Sequence, residues 1–279
     1  MTKLAELRLT PVDAAQPRAI GALRLTASHA RGASQIAGLR QSGSLKLLFP
    51  RPVGVALEAV ILNTAGGLTG GDRMQIEVTA EPAAHVILSS QAAERAYRAL
   101  GRSCAEVAVR LQAGAGARLD WLPQETILFE GAALARTLQL DLHPTARALL
   151  VESVIFGRKA MGEVVHDAWL HDRWELRVAG KLCFADALRL TGDLAAQLSR
   201  AGVAGGAGAM AAVLYAGPDA AAFLPGLRAL LPPTAGASLI RDGILFARML
   251  AADGFELRKA LIPVLEYLGG APLPKVWRL

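Results

Sequence analysis

The sequence predicts a mainly β protein with its helices in the last third. Short apolar or alternating runs fill the first two thirds of the chain. Gly, Pro or Asp interrupts them roughly every 8–12 residues, the pattern of a sandwich, a barrel or stacked sheets. Past residue 218 the period changes, and Leu257, Leu261, Leu265 and Leu268 form one helical stripe.

Residues 19–28 are apolar with an alternating middle and predict the first strand. Residues 45–49 give a short one, broken by Arg51-Pro52, and residues 55–62 a nearly continuous apolar run rich in β-branched side chains. At 75–80, Ile76 and Val78 alternate with polar neighbours. Further strands are expected at 85–89, 105–111, 118–122, 133–142, 148–156, 169–178 and 183–190. The turn Ala113-Gly114-Ala115-Gly116 fits this series, whose spacing is too irregular for a fixed-period repeat. Residues 219–231 predict a helix that opens at Pro218-Asp219 and stops at Pro232-Pro233. Asp242-Gly243 between apolar runs predicts a hairpin joining 238–241 to 243–251. The last helix spans 255–268 and ends at Gly269-Gly270, with Pro263 predicting a kink or a delayed start. No linker divides the chain, so 1–279 reads as a single domain.

Composition narrows the function classes. Of 279 residues, 53% are hydrophobic and 19% charged, which excludes intrinsic disorder. Two distant cysteines, Cys104 and Cys183, exclude a disulfide scaffold and a zinc ribbon. Charged Lys3, Glu6, Arg8 and Asp13 leave no room for a signal-peptide core. The longest uncharged stretch, 201–218, is too rich in glycine to span a membrane as a helix. Together these point to a reducing cytoplasm. The net charge of +6 comes from basic residues scattered singly among few aromatics, which disfavours nucleic acid.

The glycine loop Gly66-Gly67-Leu68-Thr69-Gly70-Gly71-Asp72 has P-loop spacing between Gly66 and Gly71. Asp72-Arg73 follows where a phosphate cradle needs Lys and then Ser or Thr, so nucleotide binding is rejected. Gly206-x-Gly208-x-x-Ala211 echoes a dinucleotide fingerprint, but no strand precedes it, and 201–208 reads as a loop. The five histidines, His29, His85, His143, His166 and His171, include no pair at metal-ligand spacing. No Gly-x-Ser-x-Gly elbow is present. Carboxylates inside apolar runs are more telling. Glu152 lies in LLVESVI and Asp186 in LCFADAL, each on one face of its strand. On a buried face such a group must be paired, hydrated or metal-bound. On a half-exposed strand it would point to water.

Six segments, in order along nearly the whole chain, resemble the urease accessory protein UreD family, called UreH in some organisms. They are Gly21-Ala22-Leu23-Arg24-Leu25, residues 63–72 (NTAGGLTGGD), residues 89–98 (SSQAAERAYR), Trp121-Leu122-Pro123-Gln124-Glu125-Thr126-Ile127, residues 156–163 (FGRKAMGE) and Pro272-Leu273-Pro274-Lys275-Val276-Trp277. The resemblance implies stacked sheets in a β-helix-like coil, with two α-helices near the C-terminus. It implies a scaffold rather than an enzyme. Such a scaffold binds apo-urease and the accessory protein UreF, and through UreF the GTPase UreG, and it supports GTP-dependent nickel insertion.

The resemblance further implies an internal nickel channel with acidic residues. Glu152 and Asp186 stand at such positions, and Asp72 is a third candidate. No cofactor is expected to stay bound, with nickel only in transit. The chain departs from the family at Asn63-Thr64-Ala65, where many members have His-Pro-Pro, and at Glu94, where many carry lysine. Sparse carboxylates suit transit, because imidazole and thiolate sites would trap a borderline metal. Two other classes remain open on the residues alone: an interaction module without a metal path, and a hydrolase using an acid pair.

Overall fold

The computed structural model describes residues 17–51, 54–101 and 103–278. The amino-terminal charges Lys3, Glu6, Arg8 and Asp13 lie outside the described residues, as does Pro52. The strands, in chain order, are β1 (Ile20–Ala30), β2 (Ala33–Gly43), β3 (Leu45–Leu48), β4 (Leu57–Asn63), β5 (Arg73–Ala80), β6 (His85–Ser90), β7 (Glu94–Ala96), β8 (Ala105–Ala113), β9 (Arg118–Leu122), β10 (Thr126–Leu128), β11 (Ala133–Leu142), β12 (Arg147–Phe156), β13 (Ala168–Val178) and β14 (Lys181–Gly192). A short helix α1 (Leu194–Ser199) leads to β15 (Ala209–Ala216), α2 (Ala220–Leu230), β16 (Ala235–Arg241), β17 (Ile244–Ala251) and α3 (Gly254–Gly269).

From β4 to β13 the chain winds between two sheets. One sheet has the order β14-β13-β11-β8-β5-β1-β2; the other runs β16-β17-β15-β12-β9-β6-β4-β3. Successive turns of the coil pair in parallel: β5 with β8, β8 with β11 and β11 with β13 in the first sheet, β4 with β6, β6 with β9 and β9 with β12 in the second. Parallel neighbours need a crossover, and here each strand of the opposite sheet supplies it. The short strands β7 and β10, with the bridge from Leu68 to Ala96, make a narrow third side. Arg73 lies opposite Glu106, which lies opposite Ala135, which lies opposite His171, so the repeat length varies from turn to turn. Antiparallel hairpins close both ends of the first sheet. This is the expected β-helix-like coil of stacked sheets, with α2 and α3 towards the C-terminus.

The layering explains the sequence patterns. In the first sheet only the inner face is buried, by Leu23, Leu25, Met74, Ile76, Val109, Leu138 and Leu170, which gives clean alternation. Its outer face carries charges, with Arg24 and Arg110 both paired to Glu77. The second sheet is covered on both faces. Val86, Leu88, Leu119, Leu150 and Leu214 face the first sheet, while Leu149, Val151, Val213, Leu245 and Ala247 pack against α3 and the chain end. Its central strands therefore read as continuous apolar runs.

Several elements depart from expectation. Residues 209–216, to which the sequence assigns no element, form β15, buried along its whole length between β12 and β17. A strand thus follows the second glycine cluster where a dinucleotide site needs a helix. β2 was not anticipated, because this edge strand is exposed on both sides and carries no alternation. The three-residue strands β7 and β10 are too short to show a period. Helix α3 runs unbroken through Pro263 and starts early, because the Asp253 carboxylate accepts the Glu256 backbone N–H at 3.0 Å. Gly270 ends it in the left-handed region at φ 68°.

Candidate functional site

Between the two sheets, three charged side chains meet in an otherwise apolar interior. Arg136 of β11, Glu152 of β12 and Asp172 of β13 are 4%, 6% and 8% exposed. Alternation places them there. Leu134, Arg136 and Leu138 share the inner face of β11, and Leu170, Asp172 and Trp174 that of β13. Arg136 and Asp172 are direct neighbours across the parallel β11–β13 pair.

The Arg136 guanidinium spans both carboxylates. Its Nη1 donates to Glu152 Oε2 and, at 3.2 Å, to Thr126 Oγ1 of β10; its Nη2 donates to Asp172 Oδ2 at 2.5 Å. The Trp121 indole of β9 donates to the other Glu152 oxygen at 2.9 Å. Five strands, β9 to β13, thus meet at Glu152 and its counter-ion. Among the described residues, Arg136 Nε and Asp172 Oδ1 have no hydrogen-bond partner. Burial pushes the Glu152 carboxyl up to about 6 against the pull of Arg136, and the neighbouring charge of Asp172 adds to the rise. Burial alone would lower the Arg136 pKa, but Asp172 and Glu152 more than reverse that, so Arg136 stays charged.

A cavity of about 80 Å³ adjoins this cluster. Apolar side chains line much of it, and its polar wall is formed by Ser90, Glu94, Gln124, Thr126, Arg136 and Glu152. Its size admits a few waters. Glu94 sits in β7, and its carboxylate accepts from Asn63 Nδ2 at 3.1 and 3.3 Å. Burial raises its pKa and the Asn63 contact opposes the rise. Asn63 and Glu94, two of the departures from the family pattern, therefore bond to each other.

The three carboxylates singled out by sequence do not form one site. Glu152 points inward and is paired, one of the outcomes open to a buried carboxylate. Asp186 lies on the edge strand β14 and accepts from Arg248 Nη2 of β17, which ties the edge of the first sheet to the second. Asp72 is buried as a loop staple: Oδ1 accepts from the Ala19 N–H and Oδ2 from the Thr69 N–H, each at 2.8 Å. Among the described residues, no three His, Cys, Asp or Glu side chains gather as a metal cage. His85 bonds to Asp120 at 2.9 Å on the helix-covered face. Arg136 and Asp172 escaped the sequence reading, although each is a charge set into a strictly alternating apolar face, the same signal that marked Glu152.

The other segments that carry the family resemblance include two joints. Gly67 has φ 155°, and a Cβ there would lie 2.3 Å from the Tyr97 ring and 2.7 Å from the Arg95 carbonyl, so the 63–72 loop packs directly on the segment containing β7. Residues 121–125 bind the chain end. The Leu122 carbonyl accepts from the Trp277 indole at 2.9 Å, and Gln124 Nε2 donates to the Val276 carbonyl at 2.9 Å. Arg258 of α3 donates to Gln124, Glu125 and the Trp277 carbonyl, and its guanidinium lies over the Trp277 ring at 5.0 Å. No helix of the described residues is long and apolar enough to cross a membrane.

Comparison with known proteins agrees with this arrangement. The family described as "UreD urease accessory protein" matches residues 19–278. The chain is 45% identical over 270 residues to the urease accessory protein UreD of Roseobacter denitrificans, covering 97% of this chain and 98% of that protein. It is 48% identical over 263 residues to the protein of the same name from Rhizobium etli, covering 94% and 96%. With the one from Xanthobacter autotrophicus it shares 46% identity over 288 residues, covering 99% of each. The matched span takes in the coil, the helix layer and the charged interior together, and the chain belongs to the UreD family of urease accessory proteins.

Proposed function

We propose that this chain acts in the cytoplasm as a urease maturation scaffold. It joins apo-urease to UreF, and through UreF to the GTPase UreG, while nickel passes to the urease active site in a GTP-dependent step. The observation that carries the reading is the line of polar and acidic groups from Glu94 past Glu152 to Asp172, enclosed in a coil whose interior is otherwise apolar. Buried charge is costly, and a fold keeps it where it serves a purpose or secures specificity. Oxygen ligands that are few and already engaged hold a borderline dication weakly, as transit requires.

The surface supports a scaffold. Met161 and Phe255 are each 75% exposed beside a recess of about 650 Å³, which Ile127, Ile155 and Lys159 also line. A second recess, of about 630 Å³, lies between the 201–207 loop, β17 and α3. Large exposed apolar side chains of this kind mark interaction surfaces. The test is co-expression with the UreF and UreG proteins of the same organism, followed by nickel analysis of urease matured with and without this chain. Stable co-purification and nickel-poor urease in its absence are expected. No partner and fully loaded urease would overturn the scaffold. Full nickel loading by a Glu152→Ala, Asp186→Ala double variant would leave the scaffold standing and remove the metal path.

A further inference from the structure

The charged interior is occupied by cations of the protein's own. Three of the inward carboxylates are already bound to a guanidinium, Glu152 and Asp172 to Arg136 and Asp186 to Arg248, while Glu94 on the same cavity accepts from the Asn63 amide. Glu152 and Arg248 lie on one row of the second sheet, either side of Ala212. The Arg136 cluster is unbalanced as well as buried. One guanidinium faces two carboxylates, Asp172 Oδ1 has no partner, and Arg136 Nε is likewise unused. A dication in place of the guanidinium would neutralise both carboxylates, and it would give Asp172 a use for its free oxygen. The two carboxylates approach from opposite sheets, and the cavity of about 80 Å³ beside Glu152 and Arg136 gives the side chain space to move.

We propose that Arg136 is a resident counter-cation holding a two-carboxylate site for divalent metal, formed by Glu152 and Asp172, and that metal cargo enters the site by displacing its guanidinium. This rests on the reading of the interior as a metal path and adds how that path stays closed at rest. Arg136 is a positioning residue: it keeps the carboxylates from trapping metal and keeps an empty interior tolerable. Burial favours this exchange over simple addition, because a dication arriving beside the guanidinium would meet its charge with little solvent screening.

The test uses the purified full-length chain with Ni2+ and Mn2+ as probes. Removing the competing charge in Arg136→Met should tighten Ni2+ binding at one site per chain by at least about tenfold. Adding Glu152→Gln and Asp172→Asn to that variant should abolish the gain, and Arg136→Lys, which keeps a charge, should show none. A folded Arg136→Met that binds Ni2+ no better than wild type overturns the proposal, as does a gain that survives loss of both carboxylates. Should Arg136→Met fail to fold, wild type decides. The Trp121 indole N–H donates to Glu152, so Mn2+ should broaden its NMR signal selectively over those of Trp169 and Trp277. Equal broadening, or none, overturns the proposal. These readouts need no partner protein, so failure here with intact co-purification and nickel loading separates this inference from the scaffold reading.

Discussion

Trp277→Ala should loosen the whole helix layer, and the size of the effect follows from what the side chain touches. The indole is buried against Leu122 and stacked under Arg258. Truncating a buried aromatic to alanine costs about 3–5 kcal/mol. Losing the indole N–H strands the Leu122 carbonyl, which adds on the order of 1 kcal/mol, and the exposed-end cation–π contact contributes about 0.5 kcal/mol more. A loss near 5 kcal/mol is large beside the roughly 5–15 kcal/mol of a whole domain. At about 2–4 °C per kcal/mol for large domains, the melting temperature should fall by roughly 10–20 °C. Thermal unfolding followed by circular dichroism measures it. Trp277→Phe keeps most of the bulk but not the donor, and should lose only about 1–2 kcal/mol. A Trp277→Ala protein melting within a few degrees of wild type would refute the view that the C-terminal segment clamps the second sheet.

The remaining predictions concern backbone and titration. Gly67→Ala places a methyl group against Tyr97 and the Arg95 carbonyl in a left-handed conformation, and should cost about 1–3 kcal/mol in a urea melt. Glu152 has its pKa raised in the folded protein to about 6, so its contribution is fully present below the unfolded value near 4.5 and is lost as pH rises through 6; Glu152→Gln should flatten that part of the stability–pH curve. Glu163 has the opposite sign. The Arg158 hydrogen bonds hold it down to about 2, so its contribution is present above pH 4.5 and lost as pH falls towards 2, and Glu163→Gln should remove that acid-sensitive component.

Much of the coil was readable because a strand buried on one side advertises its period. β5, β8 and β11 alternate, and each was anticipated within a few residues. What escaped has physical reasons. β2 is solvated on both faces, so nothing constrained its polarity to alternate. β15 is buried on both faces and half of it is alanine, so its uniformly apolar run after a glycine cluster carried no period. For the interior site, Glu152 was visible because a carboxylate among aliphatic neighbours is conspicuous. Arg136 and Asp172 were equally conspicuous on their own faces, but their meeting depended on register between β11 and β13, which no single strand encodes. Asp72, marked by its place next to a glycine loop, has both carboxylate oxygens engaged by backbone N–H groups, a local contact that its sequence neighbours do not reveal.

The clamp at the chain end has a consequence for synthesis. Leu149, Val151 and Val213 gain their cover only when α3 and Trp277 arrive, and both follow every strand of the coil in the chain. Chains leave the ribosome amino end first, at about 5–20 residues per second. The coil can therefore wind while the rest is still being made, but one broad oily side of its second sheet stays bare until α3 and Trp277 have emerged. A nascent chain in that condition is exposed to aggregation. Stop codons placed just before Trp277 should yield insoluble protein even though every turn of the coil is intact.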